Sequence, residues 1–155
     1  MWCLTKSEAE QWCEGRKISL PDPTTWKFQV QKSLVNEKWS RLSWVSGFIA
    51  SFTEPVNESL LWITQTGVWP SSENWPLFYR LRQSYGELRR IEDAPAQVFL
   101  RHEILDLTNF VEVALICGWD FYILDYRRSV FVSHDEFVDF WAMDQRLEEL
   151  TARFD

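Results

Sequence analysis

The sequence predicts an α+β fold: a small antiparallel sheet of about three to four strands with helices packed against it, in one domain spanning residues 1–155. Three observations carry this. Stretches with apolar residues three or four apart alternate with short aromatic or β-branched runs. Two capping-box patterns and several Gly and Pro stops mark element ends. The length suits one domain, and no repeat, low-complexity tract or linker interrupts it.

Thr5-Lys6-Ser7-Glu8 reads as a capping box, with Thr at the N-cap and Glu three residues on. It opens a helix carrying Ala9, Trp12 and Cys13 that is expected to stop at Gly15. Pro21 and Pro23 enforce an extended or turn segment, and residues 26–30 alternate apolar and polar like a half-buried strand. Over 33–52 the period changes: Val35, Trp39, Leu42, Val45, Ile49 and Phe52 form one helical stripe, closed by Glu54-Pro55. Residues 60–64 are a short apolar run and read as a central strand.

Residues 68–76 read as a loop, with Ser71 or Asn74 as N-cap and Pro76 in the first turn of a helix bearing Leu77, Phe78 and Leu81. A polar loop is expected over 87–97, then a long helix over 103–117 stopped by Gly118. Residues 119–124 and 129–132 flank a short polar turn and predict a hairpin. Ser133-His134-Asp135-Glu136 is the second capping box, and Phe137, Phe140, Trp141 and Leu147 fall at helical spacing beyond it. The expected order is therefore α-β-α-β-α-α-β-β-α.

Composition narrows the class. Ten Trp and eleven Phe supply an aromatic core, since each large ring buries roughly 150–250 Å². Three cysteines, Cys3, Cys13 and Cys117, form no CxxC pair and leave an odd thiol, which argues against a disulfide framework or a cysteine zinc site and points to a reducing, cytoplasmic setting. The first residues lack the basic and apolar regions of a signal peptide, and the longest apolar run falls far short of the roughly 20 residues of a membrane helix. Net charge is −7, unevenly placed: residues 1–58 are neutral, 59–91 carry +2, and 92–155 carry −9. Such a surface repels phosphate backbones, disfavours nucleic acid and favours a basic protein partner.

Two patches add a resemblance. Trp62-Ile63-Thr64 leading into Gly67-Val68-Trp69-Pro70-Ser71-Ser72-Glu73, followed by Phe78-Tyr79-Arg80-Leu81-Arg82, resembles a family of uncharacterised bacterial proteins. The match extends through Trp119-Asp120 and Ser133-His134-Asp135-Glu136, covering roughly residues 60–140. The Trp-Asp hairpin leading into Ser-His-Asp-Glu is also similar to segments of bacterial immunity proteins that neutralise toxins. That similarity implies an interaction role and carries over no functional residue.

Chemistry-bearing residues are few. His134, Asp135 and Glu136, with Asp139 beyond, are possible ligands or acid–base groups, but adjacent helical residues diverge and the simpler role is capping. A metal-assisted hydrolase would need His134, Asp135 and His102 together in space. Asp106 falls on the expected buried face of its helix and needs a partner, either Arg127, Arg128 or first-turn N–H groups. No GxSxG, P-loop or GxGxxG pattern occurs, and no cofactor is expected. The leading expectation is a non-enzymatic, immunity-type interaction protein. Its partner surface is assigned to Asp120, Asp135, Glu136, Asp139 and Asp144, with Trp69 and Trp75 as exposed anchors. A structural oligomer subunit, held through the Trp69–Trp75 loop, is the remaining alternative.

Overall fold

The computed structural model describes residues 1–18, 20, 26–34, 41–53, 57–67, 70–143 and 145–154. Among these lie seven strands and five α-helices: β1 (Trp2–Leu4), α1 (Lys6–Arg16), β2 (Phe28–Ser33), α2 (Leu42–Phe52), β3 (Glu58–Gln65), α3 (Trp75–Ser84), β4 (Ala96–Leu100), α4 (Ile104–Cys117), β5 (Asp120–Leu124), β6 (Arg128–Ser133), β7 (Phe137–Ala142) and α5 (Leu147–Thr151). The strands form one antiparallel sheet in the order β1-β4-β3-β5-β6-β7-β2. The α+β class is as expected. The sheet is nearly twice as wide.

Three strands account for the difference. β1 is only three residues long, and β4 begins inside the stretch expected to be a polar loop. β7 replaces the helix expected after the second capping box. There Ser133 O accepts Glu136 N–H (3.2 Å), Ser133 Oγ accepts Asp135 N–H (3.1 Å), and Glu136 turns left-handed at φ 62°. The residues that would cap a helix instead build a tight turn, since a serine hydroxyl serves either purpose. The first capping box is real: Thr5 Oγ1 accepts Glu8 N–H, and the Glu8 carboxylate accepts Thr5 N–H at 2.7 Å. Its helix runs past Gly15 and ends on Lys17, which takes the left-handed conformation while Ile18 N–H reaches back to Cys13 O.

Strand alternation sorts side chains onto two faces. One face packs against α2, α3, α4 and α5 and holds the larger core, including Leu61, Phe78, Phe99, Phe110, Phe121, Ile123, Val130, Val138 and Phe140. Its rings meet edge to face: Phe78 with Phe110 at 5.4 Å and 85°, Phe99 with Phe110 at 5.2 Å and 66°. The opposite face is covered by α1 over β4 and β3, where Ala9, Trp12, Cys13 and Ile18 pack on Leu60, Trp62, Ala96, Val98 and Leu124. No described helix lies over the rest of that face. Among the described residues no helix is long and apolar enough to cross a membrane.

Candidate functional site

The register of the sheet lays out the half-face beyond α1 in rows. One row runs Trp62, Tyr122, Phe131, Asp139, Gln31 across β3, β5, β6, β7 and β2. The Tyr122 and Phe131 rings lie 4.6 Å apart, tilted by 32°, and Phe137 approaches Phe131 at 6.2 Å and 61°. All three are half-buried. Asp139 is 7% exposed, and its Oδ1 accepts the side-chain amides of Gln31 (3.1 Å) and Gln29 (3.3 Å). Among the described residues no cation pairs with it.

Asp120 opens β5 immediately after the left-handed Gly118 that ends α4. Its carboxylate accepts His134 N–H at 2.6 Å and meets His134 Nδ1 at 2.7 Å, so the β6–β7 turn is tied to the start of β5. His134 Nε2 lies 3.5 Å from Asp135 Oδ1. Burial raises the Tyr122 hydroxyl first, and the nearby Asp120 and Asp139 carboxylates push it further in the same direction. Two acids and three rings thus share one corner of the sheet.

Of the expected surface acids, the structure brings Asp120, Asp135, Glu136 and Asp139 to this corner. Asp120 opens β5, a strand as expected, whereas Asp135, Glu136 and Asp139 sit on the β6–β7 hairpin rather than along a helix. Asp135 and Glu136 are exposed at its turn, whereas Asp120 and Asp139 are buried beneath and hydrogen-bonded internally. Asp144 and Trp69 lie outside the described residues. Trp75 is 52% exposed and T-shaped against Tyr79 at 6.0 Å, but it stands on the helix side of the molecule. Tyr122, Phe131, Phe137, Gln29 and Gln31 went unnoticed in the sequence, where the signal was period-two alternation hidden inside residues 137–142.

Two clefts flank Trp119 at this end. One, of about 540 Å³, is lined by Leu34, Ser71, Leu115, Trp119, Val132 and His134. The other, of about 520 Å³, is lined by Trp75, Tyr79, Arg90, Ile91, Ser72 and Trp119. Between them Ser71 and Ser72 both donate to Cys117 O, which pins the turn before α3 to the end of α4. His102 is elsewhere: it follows Leu100, which pairs with Glu58 near the finish of β5, while His134 is held at its start. The His134, Asp135 and His102 set is therefore not brought together, and among the described residues no group of three or more His, Cys, Asp or Glu could hold a metal ion. Asp106 takes its hydrogen bond from Tyr85 Oη (2.5 Å) rather than from the hairpin arginines, and this bond pushes the tyrosine up to about 12.

No protein-family model matches the chain, and comparisons with curated proteins and with solved structures return no significant match.

Proposed function

We propose that this protein is a non-enzymatic binding protein that captures a basic protein partner on the half of its sheet beyond α1. The observation that carries the reading is the row Tyr122–Phe131–Asp139, flanked by Phe137 and Asp120. A guanidinium stacks on aromatic faces for roughly 0.5–2 kcal/mol and gains further from a carboxylate beside the rings. Asp139 supports this especially. Among the described residues this buried carboxylate is held by amides and meets no cation that would offset its desolvation, and an arginine from outside would supply one. Exposed Asp135 and Glu136 at the turn add long-range attraction, which speeds encounter. The similarity of this hairpin to immunity proteins points to a toxin-like basic partner that is neutralised by being held.

The test titrates the full chain with an arginine-rich peptide and with its citrulline counterpart, which keeps the shape and removes the charge. Binding of the arginine peptide alone, weakening with salt, is expected. Asp139→Asn should lower affinity about tenfold, the equivalent of 1.4 kcal/mol. The double change Glu148→Gln with Glu149→Gln, on the exposed side of α5, removes more charge and should alter affinity far less. Equal losses in the two variants would reduce the interaction to net charge and overturn the site.

A further inference from the structure

The least expected polar group in the molecule is Arg82. It projects from α3 into the helix-side core, is 0% exposed, and donates from Nη2 to Ala94 O at 2.9 Å. Its Nε and Nη1 have no hydrogen-bond partner among the described residues, and no carboxylate there forms an ion pair with it. Gln97, also 0% exposed, points its Nε2 toward the same Ala94 carbonyl and leaves Oε1 without a partner. Glu87 feels the Arg82 charge without bonding to it, so the buried guanidinium keeps N–H donors that an anionic oxygen could take up.

Cys3 stands next to it. In the β1–β4 register Cys3 is directly opposite Gln97, which puts both side chains on the face that α3 covers. The thiol is close enough to feel both the Arg82 guanidinium, which pulls it down, and the Glu87 carboxylate, which pushes it up. Glu87 in turn is bound by Arg89, which holds its carboxyl down to about 2, and Arg89 also donates to Cys3 O at 3.0 Å. The charged groups around the thiol are thus two arginines and one glutamate. β1 is an edge strand, and Cys3 is half-buried, whereas Cys13 and Cys117 are buried.

We propose that Cys3 is a peroxide-oxidised site whose sulfenate is held by Arg82. The Cys3 thiolate attacks one oxygen of hydrogen peroxide; the S–O bond forms as the O–O bond breaks. Sulfur is oxidised by two electrons, and the hydroxide released takes up the proton shed by the thiol and leaves as water. The new oxygen is an acceptor for a guanidinium that has donors to spare. Burial, with Glu87 beside it, holds the Cys3 thiol above its ordinary range against the pull of Arg82, so the thiolate fraction and the reaction rate grow as pH rises from neutral. Burial pushes Cys13 to about 11 and Cys117 to about 12, which makes them internal controls.

The experiment treats the folded full chain with hydrogen peroxide, traps sulfenic acid with dimedone and maps the label by mass spectrometry. Label on Cys3, with Cys13 and Cys117 unlabelled, is expected. Arg82→Met removes the charge that favours the thiolate and should slow labelling roughly tenfold. Glu87→Gln, on the surface side, should speed it and decides the matter if Arg82→Met does not fold. Even labelling of the three thiols, or rates unchanged in the folded variants, would overturn the assignment.

Discussion

The face of the sheet opposite α2–α4 has two halves made from the same alternating strands and finished differently. Over β4 and β3, outward positions are apolar, and α1 buries them: Trp62 is 5% exposed, and Leu60, Ala96 and Val98 are fully buried. Over β5, β6 and β7, outward positions are Tyr122, Phe131, Phe137 and Asp139, with Gln29 and Gln31 on β2. The second half is graded. Trp141 and Ser129 are buried at one end, Phe131 and Phe137 are half-buried, and Asp135 and Glu136 are exposed at the His134 turn. The first half is closed by its own chain; the second presents rings and paired polar groups where no described helix lies. That contrast, not net charge, is what supports the proposed binding face.

Truncating one ring from each half gives the strongest test. Trp62→Ala removes a buried indole between α1 and the sheet and should cost about 3–5 kcal/mol in urea unfolding. Phe131→Ala, in the same cross-strand row but half-buried, should cost about 1 kcal/mol and spend its effect on peptide binding instead. Equal stability losses would mean that the two halves are one core, and the comparison would fail.

Helix and strand existence was legible wherever period and stops agreed: α1, β3, α3, α4 and the β5–β6 hairpin all fall where Thr5, Gly118 and the alternating runs put them. β7 was not legible, because Phe137, Phe140 and Trp141 fall at helical spacing, both faces of the strand carry apolar residues, and the serine turn mimics a cap. β4 was hidden because Ala96, Gln97 and Val98 follow a polar loop and carry little β-signal, yet their row between β1 and β3 makes them a central strand. The acidic corner was foreseen by residue and misjudged in form. A strand sends Asp139 to the face of Phe131, whereas a helix would have paired it with Asp135.

A third buried acid sharpens the contrast. Asp125, 3% exposed at the β5–β6 turn, adjoins Leu124 of the α1-covered half and accepts Arg127 N–H at 2.9 Å. Burial raises it from 3.8 to about 6, against the pull of the backbone bond and of Arg127 and Arg128. A raised acid binds protons better in the folded state, so its contribution is intact below about pH 4 and is lost as pH climbs through about 6. Asp125→Asn keeps the accepting oxygen and should flatten this decline, leaving the variant more stable above pH 6 by on the order of 1–2 kcal/mol. Denaturation midpoints across pH 4–8 measure it. An unchanged slope would show that this turn is wetter than the covered half beside it.

The smallest effect concerns the cover itself. Thr5→Ala removes the N-cap hydroxyl of α1 and should cost about 1 kcal/mol. If α1 opens apart from the sheet, that loss appears locally. Cys13, packed under α1, should then react about fivefold faster with a thiol reagent, the factor that 1 kcal/mol implies, while Cys117 behind the helix-side core keeps its rate. Parallel acceleration of both thiols would instead mean that α1 opens only when the whole sheet does, so that the covered half is closed as permanently as the core.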